Sequence, residues 1–250
     1  MSISIVLVGI SHPGNIGSAA RAMKTMGLDS LRLVAPARFP ATEATVMAAG
    51  ADDVLDRASV YGDVASAVAD CGLIIGTTSR SRHLPWRVVE PRIAAREAAA
   101  ASRDGRVAVL FGAERTGLLN DDIERCQLLL SIPTGSSYAS LNVAMAVQVV
   151  AYELLLALRE EGAAAAGQGV PLASAAEMEQ FYAQLAQVME EVEFRDRNGA
   201  GHLMARIRRL FNRAVMDQNE VNILRGILTA VQGRRRRAGD PHPPRTEERR

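Results

Sequence analysis

Apolar residues recur along the first 160 positions in two alternating rhythms. Nearly unbroken Val/Ile/Leu runs at Ile3–Val8, Leu31–Val34, Leu73–Gly76, Val107–Phe111 and Leu128–Ile132 predict strands, and their continuity predicts a sheet covered on both faces. Helical spacing falls between them at Ile16–Met26, Gly62–Ala69, Pro91–Ala101 and, briefly, Asp121–Arg125. A long apolar helix from Leu141 to about Glu160 closes the unit. Strand and helix in alternation predict an α/β domain over residues 1–160, with helices on both faces of a mainly parallel sheet.

The rhythm then changes. Residues 161–174, which include Gly162-Ala163-Ala164-Ala165-Ala166-Gly167 and Pro171, read as a linker. Ser174 with Glu177 has the spacing of a capping box and predicts a helix over Ala175–Phe194. A second helix is expected over His202–Val215, and Asp217 with Glu220 opens a third over Gln218–Val231. Residues 175–232 thus form a small helical extension. Residues 233–250, beginning with Arg234-Arg235-Arg236-Arg237, read as a basic, disordered tail.

Composition narrows this picture only a little. The chain has 250 residues, 48% of them hydrophobic, which suits one large domain with an appendage. No apolar run approaches the roughly 18 residues that span a bilayer. The N-terminus lacks a basic region and cleavage site, so it reads as a first core strand. Cys71 and Cys126 are far apart and read as small buried hydrophobes of a reducing, cytoplasmic compartment. The net charge of +1 says nothing about nucleic acid. Lys24 is the only lysine; a GC-rich coding bias accounts for that and for the many alanines, but arginine's planar fork also suits phosphate.

Three turn-rich segments follow strands and carry the candidate chemistry. They are Pro13-Gly14-Asn15-Ile16-Gly17 leading to Arg21, Phe111-Gly112-Ala113-Glu114-Arg115-Thr116-Gly117-Leu118, and Ile132 onward into Ser140-Leu141-Asn142. A dinucleotide site is not indicated: Gly9, Gly14 and Gly17 lack the Gly-x-Gly-x-x-Gly spacing, and no acidic residue ends the second strand. No Walker lysine is present either. In this order the three segments resemble the SPOUT class of S-adenosylmethionine-dependent RNA methyltransferases. Further stretches are similar to the bacterial tRNA 2′-O-methyltransferases within it: Arg21-Ala22-Met23-Lys24-Thr25-Met26-Gly27, Thr77-Thr78-Ser79-Arg80-Ser81-Arg82 with Leu84-Pro85-Trp86, Leu210-Phe211-Asn212-Arg213, and Asn222-Ile223-Leu224-Arg225-Gly226-Ile227-Leu228. The resemblance covers about residues 2–232.

That resemblance implies a C-terminal deep trefoil knot, a homodimer with its active site near the subunit interface, S-adenosylmethionine as cofactor and tRNA as substrate, methylated on the ribose of cytidine or uridine at nucleotide 32. It implies catalytic roles for Arg21, Asn15, Glu114, Ser140 and Asn142, and a cofactor pocket formed by Thr77, Thr78, Ser79, Gly112, Ile132, Ala139, Ser140 and Leu141. Ala139 stands where relatives often carry serine. Neither a metal nor a membrane is implied. A 2′-O-methyltransferase for another tRNA or rRNA position, and an RNA-binding protein without catalysis, are the competing readings.

Taken singly, the residues leave alternatives open. A guanidinium is hard to deprotonate, so Arg21 is expected to anchor phosphate and steady a developing 2′-oxyanion rather than act as a base. Glu114 suits either the site or a capping role in its own loop, and Asn142 either the site or a helix N-cap. Arg80, Arg82 and Arg115, on the cofactor side, and Arg208 and Arg209, on the extension, are RNA-contact candidates whose bland alternative is a solvated surface. His12 and His83 read as satisfied polar side chains, and Trp86 as packing rather than base stacking.

Overall fold

The computed structural model describes residues 2–79, 86–135, 141–163, 170–194 and 203–239, with side chains left out at 161–163 and 234–239. In chain order the elements are β1 (Ile3–Val8), α1 (Pro13–Thr25), β2 (Ser30–Val34), α2 (Thr42–Ala48), α3 (Asp52–Asp56), β3 (Ser59–Tyr61), α4 (Val64–Val68), β4 (Cys71–Thr77), β5 (Val88–Val89), α5 (Pro91–Ala101), β6 (Arg106–Phe111), α6 (Asn120–Ile123), β7 (Leu128–Leu130) and α7 (Val143–Ala163). Three further helices follow: α8 (Ala175–Glu191), α9 (Leu203–Asn212) and α10 (Gln218–Gly239).

Seven strands form one sheet in the order β3-β2-β1-β6-β4-β7-β5, and every pairing is parallel. Successive side chains on a strand point to opposite faces, which divides each apolar run between two cores. Ile3, Ile5 and Leu7 of β1, Val107, Val109 and Phe111 of β6, and Leu128 and Leu130 of β7 face α1, α5 and α7. Val6, Ala108, Leu110, Ile74 and Leu129 face α4 and the segment around α6. Unbroken apolar strands are thus what a sheet covered on both sides requires. Trp86 packs against the second of these cores.

Four elements were not legible in the apolar pattern. Helix α2 buries only Ala44 and Ala48, and β3 is a three-residue edge strand with Val60 55% exposed. Neither α3 nor β5 exceeds five residues. Gly17 ties α2 to the frame: a Cβ there would stand 2.0 Å from the Ala44 carbonyl oxygen, so only glycine lets α1 lie this close. β7 ends at Leu130, two residues before the expected Ile132.

The helical extension builds its own small core from Met178, Phe181, Tyr182, Met216 and Val221. Phe181 meets Phe211 edge-on at 5.0 Å between ring centres. Both expected capping boxes form: Ser174 with Glu177, and Asp217 with Glu220, whose N–H and carboxylate groups pair reciprocally at 2.8 and 2.9 Å. Two segments have more order among the described residues than their composition suggests. The last part of the linker is fixed, because Leu172 bridges Asp217 and sits over Gly72, where a Cβ would come within 2.7 Å of it. α10 continues to Gly239, so the Arg234–Arg237 run stands on a helix rather than in a disordered tail. The extension also bonds directly to the sheet domain, through Ala176 N–H to the Ala69 carbonyl (3.1 Å) and Asn212 Nδ2 to the Glu124 carbonyl (3.2 Å).

Candidate active site

The expected site loops leave the carboxyl ends of β1, β4, β6 and β7, the side on which open α/β sheets bind ligands. Glu114, three residues past β6, is their hub. Its Oε2 accepts from the Ser11 N–H at 3.2 Å and the Ser11 hydroxyl at 3.0 Å. Its Oε1 accepts from Asn15 Nδ2 at 2.8 Å and the His12 N–H at 3.4 Å. The carboxylate therefore sits at the N-terminus of α1, where the aligned peptide dipoles favour an anion. Asn15 turns its Oδ1 to Asn142 Nδ2 at 3.0 Å, and Asn142 Oδ1 accepts from the Ala144 N–H at 2.8 Å. One relay, Ala144–Asn142–Asn15–Glu114–Ser11, thus joins all three segments. Asn142 is both an N-cap of α7 and a member of the cluster. Glu114 likewise fixes loops and stands in the cluster.

Partial burial pushes the Glu114 carboxyl up, but hydrogen bonds from Asn15, its own backbone and Ser11 outweigh that and hold it at about 2. At neutral pH it is an anion that accepts hydrogen bonds, and far too weak a base to take a hydroxyl proton efficiently.

Beside the relay lies a cavity of about 440 Å³. Thr77, Thr78, Ser79, Gly112, Ile132 and Leu141, all expected there, line it, and Glu114 and Arg115 border it. Local backbone chemistry sets its walls. Thr77 Oγ1 donates to the Leu110 carbonyl at 2.9 Å, and the Thr78 N–H to the Leu130 carbonyl at 2.9 Å, so the β4 loop is held to its neighbours. The β6 loop folds back on itself through the Gly117 N–H and the Ala113 carbonyl (2.8 Å). Gly117 takes φ +68°, and a Cβ on Gly112 would stand 2.1 Å from the Gly117 carbonyl carbon. Both glycines are required by this turn. Thr134, Val143 and Ala146 also line the cavity and escaped the sequence reading: Thr134 is an ordinary loop threonine, and apolar residues opening α7 look like ordinary core. Ser11 escaped it too; a hydroxyl just before a Pro-Gly turn is a weak signal.

Other expected residues lie elsewhere. Arg21 is exposed on α1, does not border the cavity, and its guanidinium has no partner among the described residues. The first segment joins the relay through Asn15, while its Gly17 serves helix packing. Arg80, Arg82, His83, Ala139 and Ser140 lie outside the described residues. Arg208 is engaged within the extension: its fork meets both Glu179 oxygens at 2.5 and 2.7 Å and lies 4.4 Å over the Tyr182 ring. Arg209 is half-buried on α9. Among the described residues no group of three His, Cys, Asp or Glu side chains is placed to hold a metal, and no helix is long and apolar enough to cross a membrane.

A family model described as the SpoU rRNA Methylase family matches residues 2–152, and one described as tRNA methyltransferase TrmJ, C-terminal domain, matches 176–241. The tRNA (cytidine/uridine-2′-O-)-methyltransferase TrmJ of Sodalis glossinidius is 44% identical over 235 residues, covering 92% of this chain and 91% of that protein. Among solved structures, TrmJ from Z. mobilis ZM4 superposes with a TM-score of 0.79 at 34% identity, covering 93% of this chain and all of that one. A probable methylase family protein from Haemophilus influenzae Rd KW20 reaches 0.63 at 39% identity, covering 95% and 98%. The model match over residues 2–152 and these relatives define the class as a SpoU-type methylase. The chain belongs to that family and, along both of its parts, to the TrmJ methyltransferases within it.

Proposed function

We propose that this protein transfers a methyl group from S-adenosylmethionine to the ribose 2′-hydroxyl of a cytoplasmic tRNA, at cytidine or uridine 32 of the anticodon loop. The observation that carries the reading is the relay from Ser11 to Ala144, which locks three loops around one cavity. The tRNA substrate follows the names of the TrmJ relatives, and position 32 follows the resemblance.

The cavity suits the proposed donor. Its volume of about 440 Å³ falls within the roughly 300–1,000 Å³ of small-molecule sites. Its walls combine Thr and Ser hydroxyls and main-chain groups with Leu130, Ile132 and Val143, a mixture that suits a nucleoside. Gly112 leaves the backbone bare where a ligand can approach. When bound, the donor supplies an electrophilic sulfonium methyl, so the protein must chiefly align a ribose oxygen with it. Alignment of two bound reactants contributes roughly 7–11 kcal/mol in favourable cases. Thr77, Thr78, Ser79, Gly112, Ile132 and Leu141, with Ala139 and Ser140, hold the donor. Asn15, Glu114 and Asn142 fix the loops that receive the ribose. Arg21, exposed and unpaired among the described residues, binds the substrate phosphate and steadies the developing 2′-oxyanion.

Two features of the assembly belong to the same reading. β7 lies between β4 and β5 in the sheet although it follows both in sequence, and the knot implied by the resemblance belongs to this reading. On α7, Met145, Val149 and Tyr152 form an outward apolar stripe, 61, 38 and 48% exposed, opposite the helix's buried face. A second copy of the chain is its proposed cover. Sedimentation should report a dimer, and Met145→Glu with Val149→Glu should yield monomers.

Incubation with labelled S-adenosylmethionine and total tRNA, followed by mass-spectrometric mapping, tests the activity. A 2′-O-methyl group at nucleotide 32 is expected. Methylation elsewhere refutes the position, and S-adenosylhomocysteine binding without any transfer refutes catalysis.

A further inference from the structure

Among the described residues, nothing packs on Gly226 in the middle of α10. Glycine inside a helix is destabilising relative to alanine. A Cβ at this position would meet nothing within 4 Å, and its backbone is not left-handed, so neither packing nor conformation requires glycine. What surrounds it is an open groove of about 580 Å³ between α8 and α10. Side-chain amides and a hydroxyl line that groove: Gln184 and Gln187 from α8, Asn222, Thr229 and Gln232 from α10.

These groups hold one another in a row. Gln184 Nε2 donates to Thr229 Oγ1 at 3.0 Å, while its Oε1 accepts from Arg225 Nε at 3.3 Å. Gln187 and Gln232 both donate to Glu191, at 2.9 and 3.1 Å. Asn222 is exposed, with no partner among the described residues. Arg225, the one charged residue of the lining, is held by Gln184 and, through Nη1 at 3.3 Å, by Gln180. The exposed apolar residues of α10, Ile223, Ile227 and Val231, are not part of the lining. A surface whose one cation is already held and that lacks apolar anchors is a weak draw for phosphates or for a hydrophobic helix. It presents donors and acceptors at one-turn intervals, the chemistry that meets ribose 2′-hydroxyls in the wide, shallow minor groove of an RNA helix.

We propose that this groove docks the ribose edge of a base-paired stem in the RNA substrate, with Gly226 at the point of closest approach. The inference rests on the reading of the chain as a tRNA methyltransferase. It extends that reading by naming a contact that does not depend on phosphate charge.

The test uses the full chain with Gly226→Ala and Gly226→Leu, both good helix formers. Binding of an unmodified tRNA transcript is titrated by fluorescence anisotropy at several salt concentrations, beside S-adenosylhomocysteine calorimetry, thermal melting and methyl transfer. Both variants should melt no lower than wild type and bind S-adenosylhomocysteine equally. The leucine variant should bind tRNA about tenfold more weakly, the equivalent of one or two net hydrogen bonds, and the alanine variant less so. The salt slope should not change, because no phosphate contact is lost. Wild-type affinity in the leucine variant overturns the proposal, a reduced slope overturns the ribose assignment, and a lowered melting temperature shows that the fold needs Gly226 after all. A wild-type chain that transfers no methyl to tRNA refutes the functional reading instead.

Discussion

Glu114→Gln changes one oxygen to nitrogen at the centre of the relay, and the hydrogen-bond polarity predicts its effect. Backbone donors that cannot be reversed stand at both ends, the Ala144 N–H at one and the Ser11 and His12 N–H groups at the other. Reading inward, Asn142 must give Oδ1 to Ala144 and Nδ2 to Asn15, and Asn15 must then give Nδ2 to residue 114. Every group reaching residue 114 from a fixed position is a donor, so only a side chain accepting through both atoms completes the chain. Glutamine accepts through one. With its Nε2 toward Asn15, two amide donors meet. Turning Asn15 over moves the conflict to Asn142, and turning Asn142 over strips Ala144 of its cap. With its Nε2 toward Ser11, the conflict falls on that backbone N–H.

Each orientation loses about two hydrogen bonds to a charged acceptor, worth about 1.5–3 kcal/mol apiece at most. Glu114 is only half-buried, so solvent softens the loss to about 2–4 kcal/mol. If the loops matter chiefly in the transition state, kcat/KM should fall about 30- to 1,000-fold. Single-turnover methyl transfer to a tRNA transcript measures this, with S-adenosylhomocysteine calorimetry as control. Glu114→Asp keeps both acceptors but withdraws them by one methylene, so it should lose less. The pH profile separates an anchor from a base. A carboxyl lowered from 4.5 to about 2 contributes stability that is complete above its unfolded value and lost only as pH falls through 2. No Glu114 titration should therefore appear between pH 5 and 8. Wild-type turnover in the glutamine variant, or an acid limb in that window that the variant abolishes, refutes the reasoning.

Arg21→Lys should leave S-adenosylhomocysteine binding intact and lower kcat about 10²- to 10³-fold, the usual cost of one transition-state donor; unchanged turnover removes Arg21 from the chemistry. Gly112→Ala places a methyl 2.1–2.6 Å from the Gly117 and Leu118 backbone, which cannot yield as a side-chain tip can. It should cost about 3 kcal/mol or more in urea unfolding and abolish cofactor binding. Asp70→Ala strands Arg32, which is 5% exposed and donates to Asp70 at 2.6 and 3.0 Å. The loss should be about 2–4 kcal/mol, largely recovered when Arg32→Leu is added. Failure of that recovery would show that Arg32 matters beyond its ion pair.

What the chain discloses of itself depends on how far apart the interacting groups lie in sequence. Five strands are local apolar runs, so β1, β2, β4, β6 and the short but fully buried β7 are legible, whereas β3 and α2 bury too little to leave a pattern. Thr77, Gly112 and Ile132 are legible as strand ends of suitable residue types, and they meet in one cavity. The relay is not, because Asn15 finds its partners 99 and 127 residues away, and nothing local distinguishes it from any helix-opening asparagine.

The same limit governs the arginines of the extension. Counted along the chain, Arg206, Arg208, Arg209 and Arg213 look like one basic face on and just past α9. In space, Glu179 lies 29 residues before Arg208 and closes its fork, and also meets Arg125 of the sheet domain, 54 residues earlier. Arg208 therefore fastens helices, while Arg206 and Arg213 remain exposed. A residue-type count overstates the charge available to RNA by however many carboxylates the fold brings to meet it. The exposed arginines, with the Arg234–Arg237 run on α10, should carry the salt-dependent part of tRNA binding, leaving Arg208 to the stability of the extension.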